Sequence, residues 1–112
     1  MTFTHHKTLT KEKWAGYPFY KQILMIANEV NRAKNMISSG DKLETGKCYE
    51  RAFELIDITA SLLPRKNILK ELLRLRELMS EVYIEQSYSR ETNALIYSSL
   101  LSFSPESYAL LN

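Results

Sequence analysis

Apolar and polar residues recur along most of this chain with the period of an α-helix. Phe19, Ile23, Ile26, Val30, Ala33 and Ile37 are spaced 4, 3, 4, 3, 4, which places them on one helical face. After Ser38-Ser39, Gly40 can take the left-handed conformation that closes a helix. Asp41, with Glu44 three residues on, has the pattern of a capping box opening the next one. Tyr49, Ala52, Phe53, Ile56, Ala60 and Leu63 then repeat the helical spacing. So short a turn predicts two antiparallel helices packed through those faces.

Pro64 disfavours helical geometry in the residue before it, so the second helix is expected to end near Leu62-Leu63 and a third to start at Pro64. Ile68, Leu72, Leu75, Met79 and Val82 carry that third helix to at least Glu85. The serine-rich run Gln86-Ser87-Tyr88-Ser89-Arg90 is its weakest continuation, because serine favours caps over helix interiors. A break is placed there, with Ser89 as N-cap of a fourth helix over about residues 90–101. The alternative is one continuous helix across residues 65–103. Ser104-Pro105-Glu106 suits a last short turn, followed by the apolar Tyr108, Leu110 and Leu111.

Upstream of this pattern, residues 1–13 offer little that packs and read as a flexible arm, in which Thr8 or Thr10 is placed to cap a short turn around Lys11 to Trp14. Trp14 and Tyr17 are expected to cover the end of the bundle, an exposed partner anchor being the alternative. The fold expected is all-α: one domain over residues 1–112, an antiparallel bundle of three long helices plus a shorter C-terminal helix. That last helix has no charge between residues 94 and 103 and is apolar on most sides. Such a helix needs burial on most sides. A chain this small can hide it either as the central element of its own bundle or against another subunit; the second is favoured, as an isologous dimer with Tyr97, Leu100 and Leu101 as partner-contacting residues.

Composition changes this picture little. A chain of 112 residues, 45% hydrophobic, can bury one core. The net charge of +2 is too small to imply nucleic acid by itself. The charge is uneven, though. Residues 1–40 carry six Lys/Arg against two acids, +4, while residues 41–64 carry three against five, −2. Cys48 is the only cysteine, lies in a predicted helix and reads as a small buried hydrophobe, which fits a reducing cytoplasm. The first thirteen residues do not read as a signal peptide, and no apolar run approaches the ~20 residues a bilayer requires.

Candidate chemistry is sparse. His5 and His6 are the only histidines, both in the arm, so neither is placed to activate Cys48 or a serine. Inward Glu-x-x-His pairs for a metal and a glycine-rich phosphate loop are both missing from the sequence. A carboxylate-only site of Glu29, Glu54 and Asp57 is the remaining metal alternative. No catalytic, cofactor or metal site is predicted. Two polar clusters stand out instead. Glu29, Arg32, Arg51 and Glu54 are expected to form a helix-to-helix network that sets register, with Arg51 and Glu54 as an i,i+3 pair; a ligand-binding groove is the alternative. Asn31, beside the apolar stripe, is expected to need a partner. Lys66, Lys70 and Arg74 line one stripe at i, i+4, i+8 near a helix N-terminus, where like charges repel and oppose the macrodipole. That stripe is a candidate partner-binding face, for protein or, as the alternative, for nucleic acid.

Ala33, Gly40-Asp41, Tyr49 and Ala52 resemble the small-residue, turn and aromatic positions of a tetratricopeptide (TPR) helical hairpin, over residues 27–58 and in a single copy. Glu29 and Arg32 stand where that repeat carries its early aromatic and leucine, and a solenoid needs about three copies. The resemblance implies local helix packing. Residues 49–57 also resemble a run found in short bacterial helical proteins, which implies no activity. The function expected is a non-enzymatic protein-interaction or scaffolding module, self-associating and cytoplasmic. A small RNA- or DNA-binding accessory protein is the alternative.

Overall fold

The computed structural model describes residues 3–63 and 66–104, without the side chain of Lys66. These residues form five helices: α1, Lys11–Ala15; α2, Phe19–Ser38; α3, Lys42–Leu62; α4, Lys66–Glu85; and α5, Arg90–Leu101. The expectations for Pro64, Pro105, Glu106, Tyr108, Leu110 and Leu111 lie outside the described residues.

The α2–α3 turn follows its residue chemistry. Gly40 has φ +75°, and the Asp41 N–H donates to the Met36 carbonyl at 2.9 Å, closing α2. The Asp41 carboxylate accepts the Glu44 N–H at 3.0 Å. The reciprocal half of the capping box is not used: the Glu44 side chain pairs with Lys47 at 3.3 Å. At the other joint, α4 stops at Glu85. Gln86 adopts φ +52° and the Ser87 N–H donates to the Val82 carbonyl. Ser89 then accepts the Thr92 N–H at 3.1 Å and starts α5. The continuous-helix alternative is therefore excluded.

The core follows the predicted stripes. Ile23, Ile26, Val30 and Ala33 of α2 are buried with Tyr49, Ala52 and Ile56 of α3 and with Leu72, Leu75, Met79 and Val82 of α4. α2 packs on α3 and on α5, and α3 packs on α4. The radius of gyration is 13.4 Å, close to the ~13 Å expected of one folded domain this long. Among the described residues no helix is long and apolar enough to cross a membrane.

Two expectations fail here. Leu100 and Leu101 are not partner-facing: they are buried with Ile96 in their own chain, while Tyr97 is half-buried and Leu95 is 67% exposed. The apolar faces of α2 and α5 satisfy each other, so α5 does not demand a second copy. The N-terminal segment is also not a free arm. Phe3 and Trp14 are buried, and the Trp14 indole Nε1 donates to Thr59 Oγ1 of α3 at 2.8 Å. An indole N–H taken from water needs such an acceptor. The Gln22 amide donates to the carbonyls of Trp14 and Tyr17 at 2.9 and 3.0 Å, fixing the α1–α2 corner. Residues 3–15 form a strap laid across α2 and α3.

Candidate functional site

Three acids spaced 4 and 3 along α3 each capture a different element. Glu54 accepts the backbone N–H of His5 at both carboxylate oxygens, 3.2 and 3.0 Å, and that of His6 at 3.0 Å. Glu50 accepts the Tyr83 hydroxyl of α4 at 2.6 Å and, in the Nε2–H tautomer, the His5 ring at 2.9 Å. Asp57 takes both arms of the Arg76 fork, at 2.6 and 3.1 Å, while that guanidinium lies 4.9 Å over the Phe53 ring. The Tyr83 and His5 hydrogen bonds hold the Glu50 carboxyl below its usual range, because they favour its charged form. In return, the Glu50 carboxylate pushes the Tyr83 hydroxyl up to about 12.

The predicted register network is present in part. Arg51 Nε donates to Glu29 Oε1 at 3.0 Å across the α2–α3 interface, and Arg32 Nη1 reaches the same oxygen at 3.5 Å. Glu29 is buried, with 8% of its side chain exposed. A buried carboxylate requires this compensation. Arg51 also reaches Cys48 Sγ at 3.2 Å, while burial pushes the buried Cys48 thiol up. Glu54 is not part of the network. It faces the strap rather than Arg51, because the two backbone N–H groups of residues 5 and 6 meet its carboxylate in three contacts.

A groove of about 620 Å³ lies between the strap, α2 and the edge of α3. Strap residues His6, Lys7 and Lys13 form one wall, and Met25, Asn28 and Arg32 of α2 form the other. Tyr17 and Met25 contribute apolar surface, 41% and 36% exposed. His6 Nε2 is buried and has no hydrogen-bond partner among the described residues. Buried polar atoms are rarely left so. The sequence offers a groove at Glu29 and Arg32 only as an alternative, and its strap wall, expected as a free arm, not at all.

The structure separates the other candidates. Lys70 and Arg74 are exposed on α4, and Arg74 pairs with Glu71 at 2.9 Å, which offsets part of the basic stripe. The Lys66 side chain lies outside the described residues. Asn31 is exposed. The interior amide is instead Asn93 of α5, which donates to the Val30 carbonyl at 3.0 Å and accepts the Tyr49 hydroxyl at 3.0 Å. An amide in an otherwise apolar helix was the signal for it. Glu29 is separated from Glu54 by these assignments, and no three His, Cys, Asp or Glu side chains converge among the described residues as a metal would need. No protein-family model, curated protein or solved structure matches this chain.

Proposed function

We propose that this chain is a non-enzymatic protein-interaction module whose docking surface is the groove between the strap and α2. The observation that carries this reading is the make-up of the groove. Its volume falls in the ~300–1,000 Å³ range of ligand sites, and exposed aromatic and thioether surface sits beside unpaired polar groups. Its one carboxylate, Glu29, is held by two arginines and so serves structure. The frame is read as an antiparallel bundle of three long helices with a shorter C-terminal one, TPR-like in its central hairpin and working in the cytoplasm. Panning a displayed library of random dodecapeptides against the chain tests the proposal. Enriched peptides should lose binding to Met25→Trp, which fills the groove. Enrichment indifferent to that substitution, or none at all, overturns it.

Self-association is the second reading, favoured by a different observation. Leu43 and Ile84, 71% and 77% exposed, share a depression beside Tyr88 where α3 starts and α4 ends. Two large apolar side chains in one depression make a candidate homodimer contact. Light scattering should then show a dimer that Leu43→Lys with Ile84→Lys dissociates. A monomer at every concentration removes this reading and leaves the groove untouched. The nucleic-acid alternative keeps less support, because the described part of the basic stripe carries the Arg74–Glu71 pair.

A further inference from the structure

We infer that the groove selects an acidic segment of a partner protein, seating an Asp or Glu carboxylate against Lys7, Lys13 and Arg32 with apolar neighbours on Tyr17 and Met25. This rests on the reading of the groove as a protein-docking surface and names the chemistry it recognises.

The argument is one of unspent donors. Lys7 is exposed and makes no ion pair or hydrogen bond among the described residues. The Lys13 ammonium meets only the Thr8 carbonyl, at 3.4 Å, and a lysine has three donors to give. Arg32 is 65% exposed on its side chain and uses one nitrogen of its fork, at 3.5 Å, on Glu29. Glu29 is the only acid among the described residues of the groove wall, and Arg51 already meets its charge at 3.0 Å. The lining therefore carries an uncompensated positive charge. Next to it, His6 offers a buried, partnerless ring nitrogen. A carboxylate arriving there gains charge-assisted hydrogen bonds of the strong class.

A peptide fits this lining better than a nucleic acid does. Strand binding needs a long basic track and a row of exposed aromatic faces. This groove has three cations and one exposed aromatic, Tyr17, in a chain of net charge +2.

The same dodecapeptide panning separates the two levels of the argument. The expected winners are rich in Asp or Glu flanked by apolar residues. A fluorescein-labelled synthetic winner should bind about tenfold more weakly to Lys7→Glu and to Arg32→Glu, with affinity falling as salt rises. Its Asn/Gln counterpart should bind no better than a scrambled peptide. Arg32→Glu places a like charge beside Glu29, so Lys7→Glu, exposed and unpaired, is the variant that leaves the fold alone. Winners with no acidic preference, or binding indifferent to Lys7→Glu, overturn the inference while the docking surface survives if Met25→Trp still blocks. Winners indifferent to Met25→Trp remove the docking surface, and this inference with it. Displacement of the peptide by a single-stranded RNA oligonucleotide at equal concentration overturns the choice of occupant.

Discussion

The two ends of the described chain close the same hairpin by different chemistry. α5 is attached from within: Ile96, Leu100 and Leu101 are buried, and the Asn93 amide bridges the Val30 carbonyl and the Tyr49 hydroxyl in the interior. The strap has two deep apolar anchors, Phe3 and Trp14, the second also hydrogen-bonded to Thr59 and Gln22, and at residues 5 and 6 it is held at the rim by the carboxylates of Glu50 and Glu54. An amide does not titrate and a carboxylate does. The α5 attachment is therefore indifferent to acid, since burial raises the Tyr49 hydroxyl and keeps it neutral until strongly alkaline pH, whereas the rim end of the strap is conditional on carboxylate charge. The wall that builds the groove is the more easily released of the two.

Removing the deepest anchor breaks the comparison most severely. Trp14→Ala empties a fully buried site and removes the indole donor to Thr59, whose hydroxyl keeps its bond to the Leu55 carbonyl, and it should cost about 3–5 kcal/mol in denaturant unfolding. The loss should appear as strap release rather than as melting of the α2–α3 turn. On the α5 side, Asn93→Ala leaves a buried tyrosine hydroxyl without its acceptor and should cost about 2–4 kcal/mol. Amide hydrogen exchange should then speed up in α5 with the strap unchanged.

Smaller changes sharpen the contrast. Glu54→Ala should cost about 1–2 kcal/mol, with loss of exchange protection confined to the amides of His5 and His6. The smallest effect is the pH profile of the Glu50–Tyr83 pair. The Glu50 carboxyl is depressed in the fold, so its stabilisation is present above the ordinary glutamate value, about 4.3, and is lost as pH falls through the lower folded value. Tyr83 is raised to about 12, so its share is full below the ordinary tyrosine value near ~10 and is lost as pH rises toward 12. Tyr83→Phe should make the alkaline limb of the stability–pH profile shallower, with the buried Tyr49 and the half-buried Tyr88 supplying what remains, remove the tyrosine donor that acts on Glu50, and leave α5 protection as it was. A profile that Tyr83→Phe does not alter breaks this account of the rim.

What was legible in the chain was what neighbours along it decide. Gly40, Asp41 and Ser89 act within three or four residues of themselves, and the turn, the end of α4 and the start of α5 fall where those residues put them. The 3.6-residue stripes likewise named the buried faces of α2 and α4 and part of that of α3, where Leu55 and Ile58 are buried off the stripe. They did not name the partners of those faces. α5 was therefore assigned to a second copy when α2 of the same chain covers it. The polar contacts that matter here join residues far apart: 45 positions for Trp14 to Thr59, 49 for His5 to Glu54, 63 for Asn93 to Val30. No periodicity encodes such pairs. The predicted Arg51–Glu54 contact was a local guess for a carboxylate whose true partners come from the strap. The indole of Trp14, in a stretch otherwise read as solvated, was the one hint that the N-terminus is tied down.

Glu54 grips main-chain N–H groups, not side chains, at residues 5 and 6. Such a clasp is blind to residue identity, proline excepted, since only proline lacks the N–H it holds. The ring at position 6 can thus be exchanged without undoing this clasp, whereas the His5 ring also holds Glu50, which leaves the residue-6 rim of the cleft open to retuning for a different occupant.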